Sequence, residues 1–158
     1  MDHLIIFILF ALLAEILGTV GGFGSSLFFV PIASFFLDIH SVLGITAIFH
    51  VSSNLTKIAF FRKGFDKKLL LWVGIPAIIF VIIGAYLSKF IQSNILEILL
   101  AIFLISTSLT FYIFKNLKVN PNKKNSIFGG VFSGFVSGLI GTGGAIRGIN
   151  LFSFNLKM

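Results

Sequence analysis

The residues able to do chemistry in this chain form four small groups set among long apolar runs. They are Glu15, the stretch LGTVGGFGSSLFFVP at 17–31, the series Thr46, His50, Ser53, Asn54 and Lys57, and the stretch GFVSGLIGTGGAIRG at 134–148. Glycine-rich turns can cradle phosphates, but nucleotide binding needs G-x-G-x-x-G after a strand, or a P-loop with its lysine. Gly22-Phe-Gly24-Ser-Ser-Leu and Gly141-Thr-Gly143-Gly-Ala-Ile both lack the third glycine, and no lysine follows either turn. A turn between two short apolar helices offers something different: free backbone N–H groups at a helix N-terminus, where the dipole favours an anion. Gly21, Gly22, Gly24, Ser25 and Ser26 in the first turn, with Gly141, Thr142, Gly143 and Gly144 in the second, are the candidate anion-binding residues. Close packing of membrane helices through small residues is the competing reading. Two such turns of one design favour the anion site.

Thr46, His50, Ser53, Asn54 and Lys57 lie at i, i+4, i+7, i+8 and i+11, which is one face of a helix. Ionisable groups inside a span are costly and face the bundle interior or a water-filled path. His50 and Asn54 are therefore read as part of a pathway wall, whereas Lys57, near the helix end, can snorkel to the headgroups. Glu15, just ahead of the first turn, is placed either to take a coupling proton or to cap a backbone group. Arg147 follows the second turn, where it can pair with an anionic substrate or snorkel. A serine–histidine enzyme would want an elbow such as G-x-S-x-G, and no histidine or carboxylate cluster has metal-ligand spacing. There is no cysteine, which excludes thiolate catalysis and disulfides. The chain reads as a non-enzyme with no cofactor and no metal.

The elements that position these residues belong in a bilayer. Of 158 residues, 57% are hydrophobic and only 11% charged, with mean hydropathy +1.09, against about 25% charged residues in a soluble domain. Continuous spans near the roughly 20 residues a membrane helix needs are readable at 42–61, 69–87 and 95–114. The net charge of +7 would suggest nucleic acid if it were spread over one surface. Instead, Arg62, Lys63, Lys67 and Lys68 fill the loop 62–68, and Lys115, Lys118, Lys123 and Lys124 fill the loop 115–126. That is the positive-inside pattern of cytoplasmic loops. The expected partners are the lipid bilayer and a small anion, not nucleic acid. The N-terminus lacks the basic start and cleavage site of a signal peptide; it is read as retained and as lying outside.

The first segment differs from the others. Leu4–Leu17 and Ser26–Leu37 are apolar but shorter than a span, and glycines separate them. The parity of an outside N-terminus makes 4–37 a half-helix hairpin rather than one broken span. Gly18, Gly21 and Gly24 fall on Gly138, Gly141 and Gly144 at a constant offset of 120. Three crossings separate the two copies, so the repeat is inverted, the architecture of many secondary transporters. The fold expected is an all-α membrane bundle: residues 1–120 form a first repeat, and 121–158 part of a second, with its break at 138–144. Two full repeats would need about 240 residues.

Residues 17–31 resemble the N-terminal signature of the sulfite exporter TauE/SafE family. HVSSNLTKIAFFRKGFDKKLLLWVGIPAIIFVIIGAYLS, at 50–88, is similar to that family's first-repeat helices and basic loop, and 134–148 to its second-repeat signature. The resemblance implies a multi-pass transporter of the bacterial cytoplasmic membrane that exports sulfite or a related organosulfur anion. It carries over to Gly18, Gly21, Gly22 and Gly24, and to Gly138, Gly141, Gly143 and Gly144. Family members continue for several helices past the second signature. The alternative expectation is therefore a non-transporting remnant, or a subunit completed by a homo-oligomer or a separate partner chain.

Overall fold

The computed structural model describes residues 2–21, 24–60, 70–113 and 122–144. All regular structure among them is helical: α1 (Asp2–Gly21), α2 (Ser26–Ala33), α3 (Ile39–Phe60), α4 (Ile75–Ser88, entered through a π-helical turn, Leu70–Gly74), α5 (Ser93–Ile113) and α6 (Lys123–Ile140). Two stretches, Leu71–Ser88 and Ser93–Ile113, are long and apolar enough to cross a membrane. The outer face of the second carries Ile98, Ile102 and Ile105, all more than half exposed, as a lipid-facing surface would be.

The first segment departs from two matched half-helices. Helix α1 does not stop at Leu17 but runs 20 residues to Gly21, about 30 Å at 1.5 Å per residue. Helix α2 has only eight residues and ends at Ala33 rather than Leu37. The reason lies in Gly18, which is packing space and not a helix break. A Cβ there would fall 2.5 Å from the Ser25 backbone nitrogen, and the Gly18 carbonyl accepts a hydrogen bond from the Gly24 N–H at 3.3 Å. The missing side chain lets the returning chain press directly onto α1.

The return is a hairpin. The ring of Phe7 packs on Phe29 (6.2 Å between centroids) and Phe36 (5.7 Å), so the start of α1 lies beside the end of α2. Asp38 then opens α3: its Oδ2 accepts from the His40 N–H at 2.9 Å and its carbonyl from the Val42 N–H at 3.0 Å. The other carboxylate oxygen accepts from the Ser93 hydroxyl at 2.9 Å, tying the start of α3 to the start of α5. Helix α4 ends just before that junction. The starts of α1, α3 and α5 and the end of α4 thus gather at one end of the bundle.

Helix α6 begins at the opposite end. Asn122 caps it, accepting from the Asn125 N–H at 2.8 Å, and Lys123 lies 5.3 Å above the Trp72 ring, at the entry to α4. From there α6 runs parallel to α4, with Gly130 against Val73, Gly134 against Ala77 and Gly138 against Val81. Helix α1 and helix α6 therefore run in opposite directions. Gly84 also serves this contact, because a Cβ there would lie 2.5 Å from the Phe135 carbonyl oxygen. The core forms where short α2 is enclosed: Val30, Val42, Leu96, Leu100, Val136 and Ile140 are buried together.

Candidate functional site

Both glycine stretches mark places where the helical ladder stops, and the two places lie close together. Helix α6 ends at Ile140, and Gly141 turns the chain with φ 77°, its N–H donating to the Ser137 carbonyl at 3.0 Å. Only glycine enters that left-handed region freely. In the first stretch the positive φ, 86°, falls on Gly24. A Cβ on Gly24 would lie 3.6 Å from the Cα of Gly144, so the two turns lie close together with room for one methyl group between them. A side chain on Gly141 would strike Leu43 Cδ2 at 2.7 Å and Val30 Cγ2 at 3.1 Å. Residues more than a hundred positions apart thus meet at one point.

Each turn places a buried hydroxyl beside this point. Ser26, the first residue of α2, is 2% exposed, and Thr142 is 0% exposed. Neither hydroxyl has a hydrogen-bond partner among the described residues. Leaving such a group unsatisfied costs about 1–3 kcal/mol. Each sits two residues from the glycine that contacts the other turn. Ser25, the N-cap of α2, makes no side-chain capping bond.

Two cavities flank the helix that carries the polar series. The larger, about 600 Å³, lies between α3, α4 and α6, and reaches from His40, Ser88 and Lys89 at the Asp38 end of the bundle to His50, Ser137 and Gly141. The smaller, about 220 Å³, lies between α1, α2 and α3; Glu15, Ser25, Ser26, Thr46 and His50 make up its polar part. Thr46 and His50 border both, so this part of α3 is the wall between them. Thr46 is buried, and its hydroxyl donates to the Val42 carbonyl at 2.7 Å.

Of the residues selected from the sequence, Glu15, Ser25, Ser26 and His50 come together at the smaller cavity. Gly141 joins His50 at the larger one, and Thr142 and Gly143, next to Gly141 in the chain, are buried. Gly21 ends α1, and Gly24 meets Gly144. Gly22, Arg147 and the side chain of Asn54, with those of Ser53 and Lys57, lie outside the described residues. Sequence reasoning passed over Ser137, His40 and Asp38. It also used only Gly138 of a stripe that runs Ser126, Gly130, Gly134, Gly138 at four-residue spacing, all of it buried. That spacing, a small residue on each turn of one helix face, was the available signal.

An all-helical scaffold with two stretches long and apolar enough to cross a membrane, and an exposed surface rich in isoleucine, is that of an integral membrane protein. The chain belongs to the sulfite exporter TauE/SafE family, whose family model matches residues 7–158. A probable membrane transporter protein of Methanocaldococcus jannaschii is 31% identical over 155 residues, which cover 88% of this chain. The match spans 57% of that relative's length. No solved structure matches the chain.

Proposed function

We propose that this chain provides the substrate-binding site of a small-anion exporter, with sulfite or an organosulfur anion as its substrate. Its broken helices belong to two inverted repeats. Several features support the repeat: α1 and α6 run in opposite directions, they end at Gly21 and Ile140, and the turns that follow lie close together at Gly24 and Gly144. Membership of the exporter family supports the substrate class.

The observation that carries the reading is Thr142. A fully buried hydroxyl without a partner, beside two meeting backbone turns, is costly unless a ligand satisfies it. An oxyanion accepts from such a hydroxyl, and from backbone N–H groups at the turn, without covalent chemistry. In this reading the basic loops 62–68 and 115–126 face the cytoplasm. The larger cavity then opens outward past His40 and Lys89, whose ammonium attracts an anion.

Sulfite flux from proteoliposomes containing this chain tests the proposal. Flux above that of empty vesicles, lost in Thr142→Val although the variant folds, is the expected result. Absence of flux from well-folded wild-type protein would overturn the export reading for this chain. Undiminished flux in Thr142→Val would move the site elsewhere.

A further inference from the structure

Gly44, inside α3, stands apart from the other helix glycines. Gly84, Gly130, Gly134 and Gly138 each press on a neighbouring backbone, but a Cβ on Gly44 would meet nothing within 4 Å. Glycine inside a helix costs stability relative to alanine, and here no close packing offsets that cost. What Gly44 borders is the larger cavity, about 600 Å³, between α3, α4 and α6. Its volume is that of a pocket for a drug-sized molecule, which is walled by apolar side chains with a few polar groups. Leu43, Ala47, Ala77, Val81 and Ala85 make such a wall, and His50 and Ser137 accompany Gly141 at the inner end. Ile78 and Ile82 line it too and are more than half exposed, so it is an open cleft and not a sealed void. Lys89 stands at the outer end, and among the described residues no aspartate or glutamate lines the cleft. Asp38, near that end, is engaged by the Ser93 hydroxyl and the His40 N–H.

We infer that this cleft takes an anion with an apolar body, an alkane- or arylsulfonate, in preference to bare sulfite, and that Gly44 keeps the wall open for that body. The inference rests on the export reading above and narrows its substrate class. Sulfite is compact and carries no apolar surface, so it would leave the aliphatic wall facing water or lipid. An organosulfonate sets its charged head toward the Gly141 end and lays its hydrocarbon along Leu43, Ala47 and Val81. That burial adds a hydrophobic contribution that sulfite lacks. Lys89 draws an anion to the cleft and disfavours a cationic amphiphile of the same shape. A bilayer lipid would lie the other way round, its headgroup at Lys89 and its chain end against His50 and Ser137, which are polar. The free organosulfonate is therefore the better match to both ends.

The test is binding to the purified full chain in phosphatidylcholine nanodiscs, read by calorimetry with empty nanodiscs subtracted. The ligands are sulfite and methane-, butane- and hexanesulfonate, with hexanol and hexyltrimethylammonium as neutral and cationic controls. Affinity should rise roughly two- to fourfold for each methylene added, and both controls should bind far more weakly than hexanesulfonate. Gly44→Leu should fold, because its side chain enters open space, and it should flatten the rise. Gly44→Ala should flatten it in part, and replaces the leucine variant if that one folds poorly. Affinity independent of chain length would overturn the inference. So would a rise that persists in folded Gly44→Leu, or controls that bind as well as hexanesulfonate. Displacement of hexanesulfonate by phosphatidylglycerol added to the nanodiscs would also overturn it, making the cleft a lipid seat. Sulfite flux is read separately: flux without chain-length preference removes this inference and leaves export standing, whereas chain-length preference without flux keeps the ligand class and removes export.

Discussion

Gly134 of α6 packs on Ala77 of α4 with no room for a side chain: a Cβ at position 134 would fall 2.7 Å from the Ala77 Cα. Gly130 meets Val73 in the same way one turn earlier, and Gly138 meets Val81 one turn later. Membrane helices gain no hydrophobic drive from one another, so close backbone contact through small residues is what binds them. This seam holds α6, and with it the Gly141 turn, against the rest of the bundle.

Gly134→Val should therefore separate α4 from α6, whereas a substitution on the lipid face, such as Ile105→Val, should cost little. Overpacking of this kind costs about 1–3 kcal/mol. Trp72, the one tryptophan of the sequence, sits at the entry to α4 beside Lys123. Its fluorescence during unfolding in detergent reports the change. Equal midpoints for Gly134→Val and wild type would refute the seam.

The two positive-φ glycines should respond unequally to alanine. Gly24→Ala meets only an ordinary contact, at 3.6 Å from Gly144 Cα, so it bears the backbone strain alone, about 1–2 kcal/mol. Gly141→Ala adds collisions with Leu43 and Val30 to the same strain. It should be the more damaging by about 1–3 kcal/mol, measured by the same unfolding assay. A reversed order would contradict the packing around Gly141.

Thr142→Val should raise stability even as it removes function. Replacing an unpartnered buried hydroxyl with a methyl of the same shape relieves a desolvation cost of about 1–3 kcal/mol. A higher unfolding midpoint together with lost sulfite flux identifies a group kept for a ligand. A lower midpoint would mean that the hydroxyl is satisfied in the folded protein.

Asp38 gives a pH dependence whose sign can be worked out. The Ser93 hydroxyl is the main cause that holds its carboxyl below the ordinary carboxylate value; desolvation opposes it, and the backbone N–H groups of His40 and Ser41 add to the lowering. A depressed folded-state value means stability that is present above the unfolded pKa and lost as pH falls through the folded one. Wild type should exceed Asp38→Asn in unfolding midpoint at neutral pH, and the difference should shrink below about pH 4. Ser93→Ala should shift that loss to higher pH. A difference independent of pH would show that the carboxylate charge is not what ties α3 to α5.

The hairpin can be tested by chemistry, because the chain has no native cysteine. Phe7→Cys combined with Phe36→Cys should crosslink within one chain, since the two rings stand 5.7 Å apart. Labelling of the two positions from opposite faces of the membrane, without crosslinking, would indicate a single broken span instead.

Composition and the length of apolar runs were enough to read a helical membrane protein, because no soluble surface can be covered with 11% charged residues. Glycine spacing was enough to single out two turns of similar design. Local sequence did not reveal what Gly18 does. It reads as a break, yet it lies inside a 20-residue helix, because its missing side chain is needed by Ser25 across the hairpin. The stripe of Gly130 and Gly134 was legible in principle but has no meaning until Val73 and Ala77 are set beside it. Nor could spacing along the chain bring Gly24 to Gly144, place Glu15 and Ser26 in one cavity, or make Thr46 and His50 a wall between two. Those relationships connect distant segments, and only the packing of whole helices decides them.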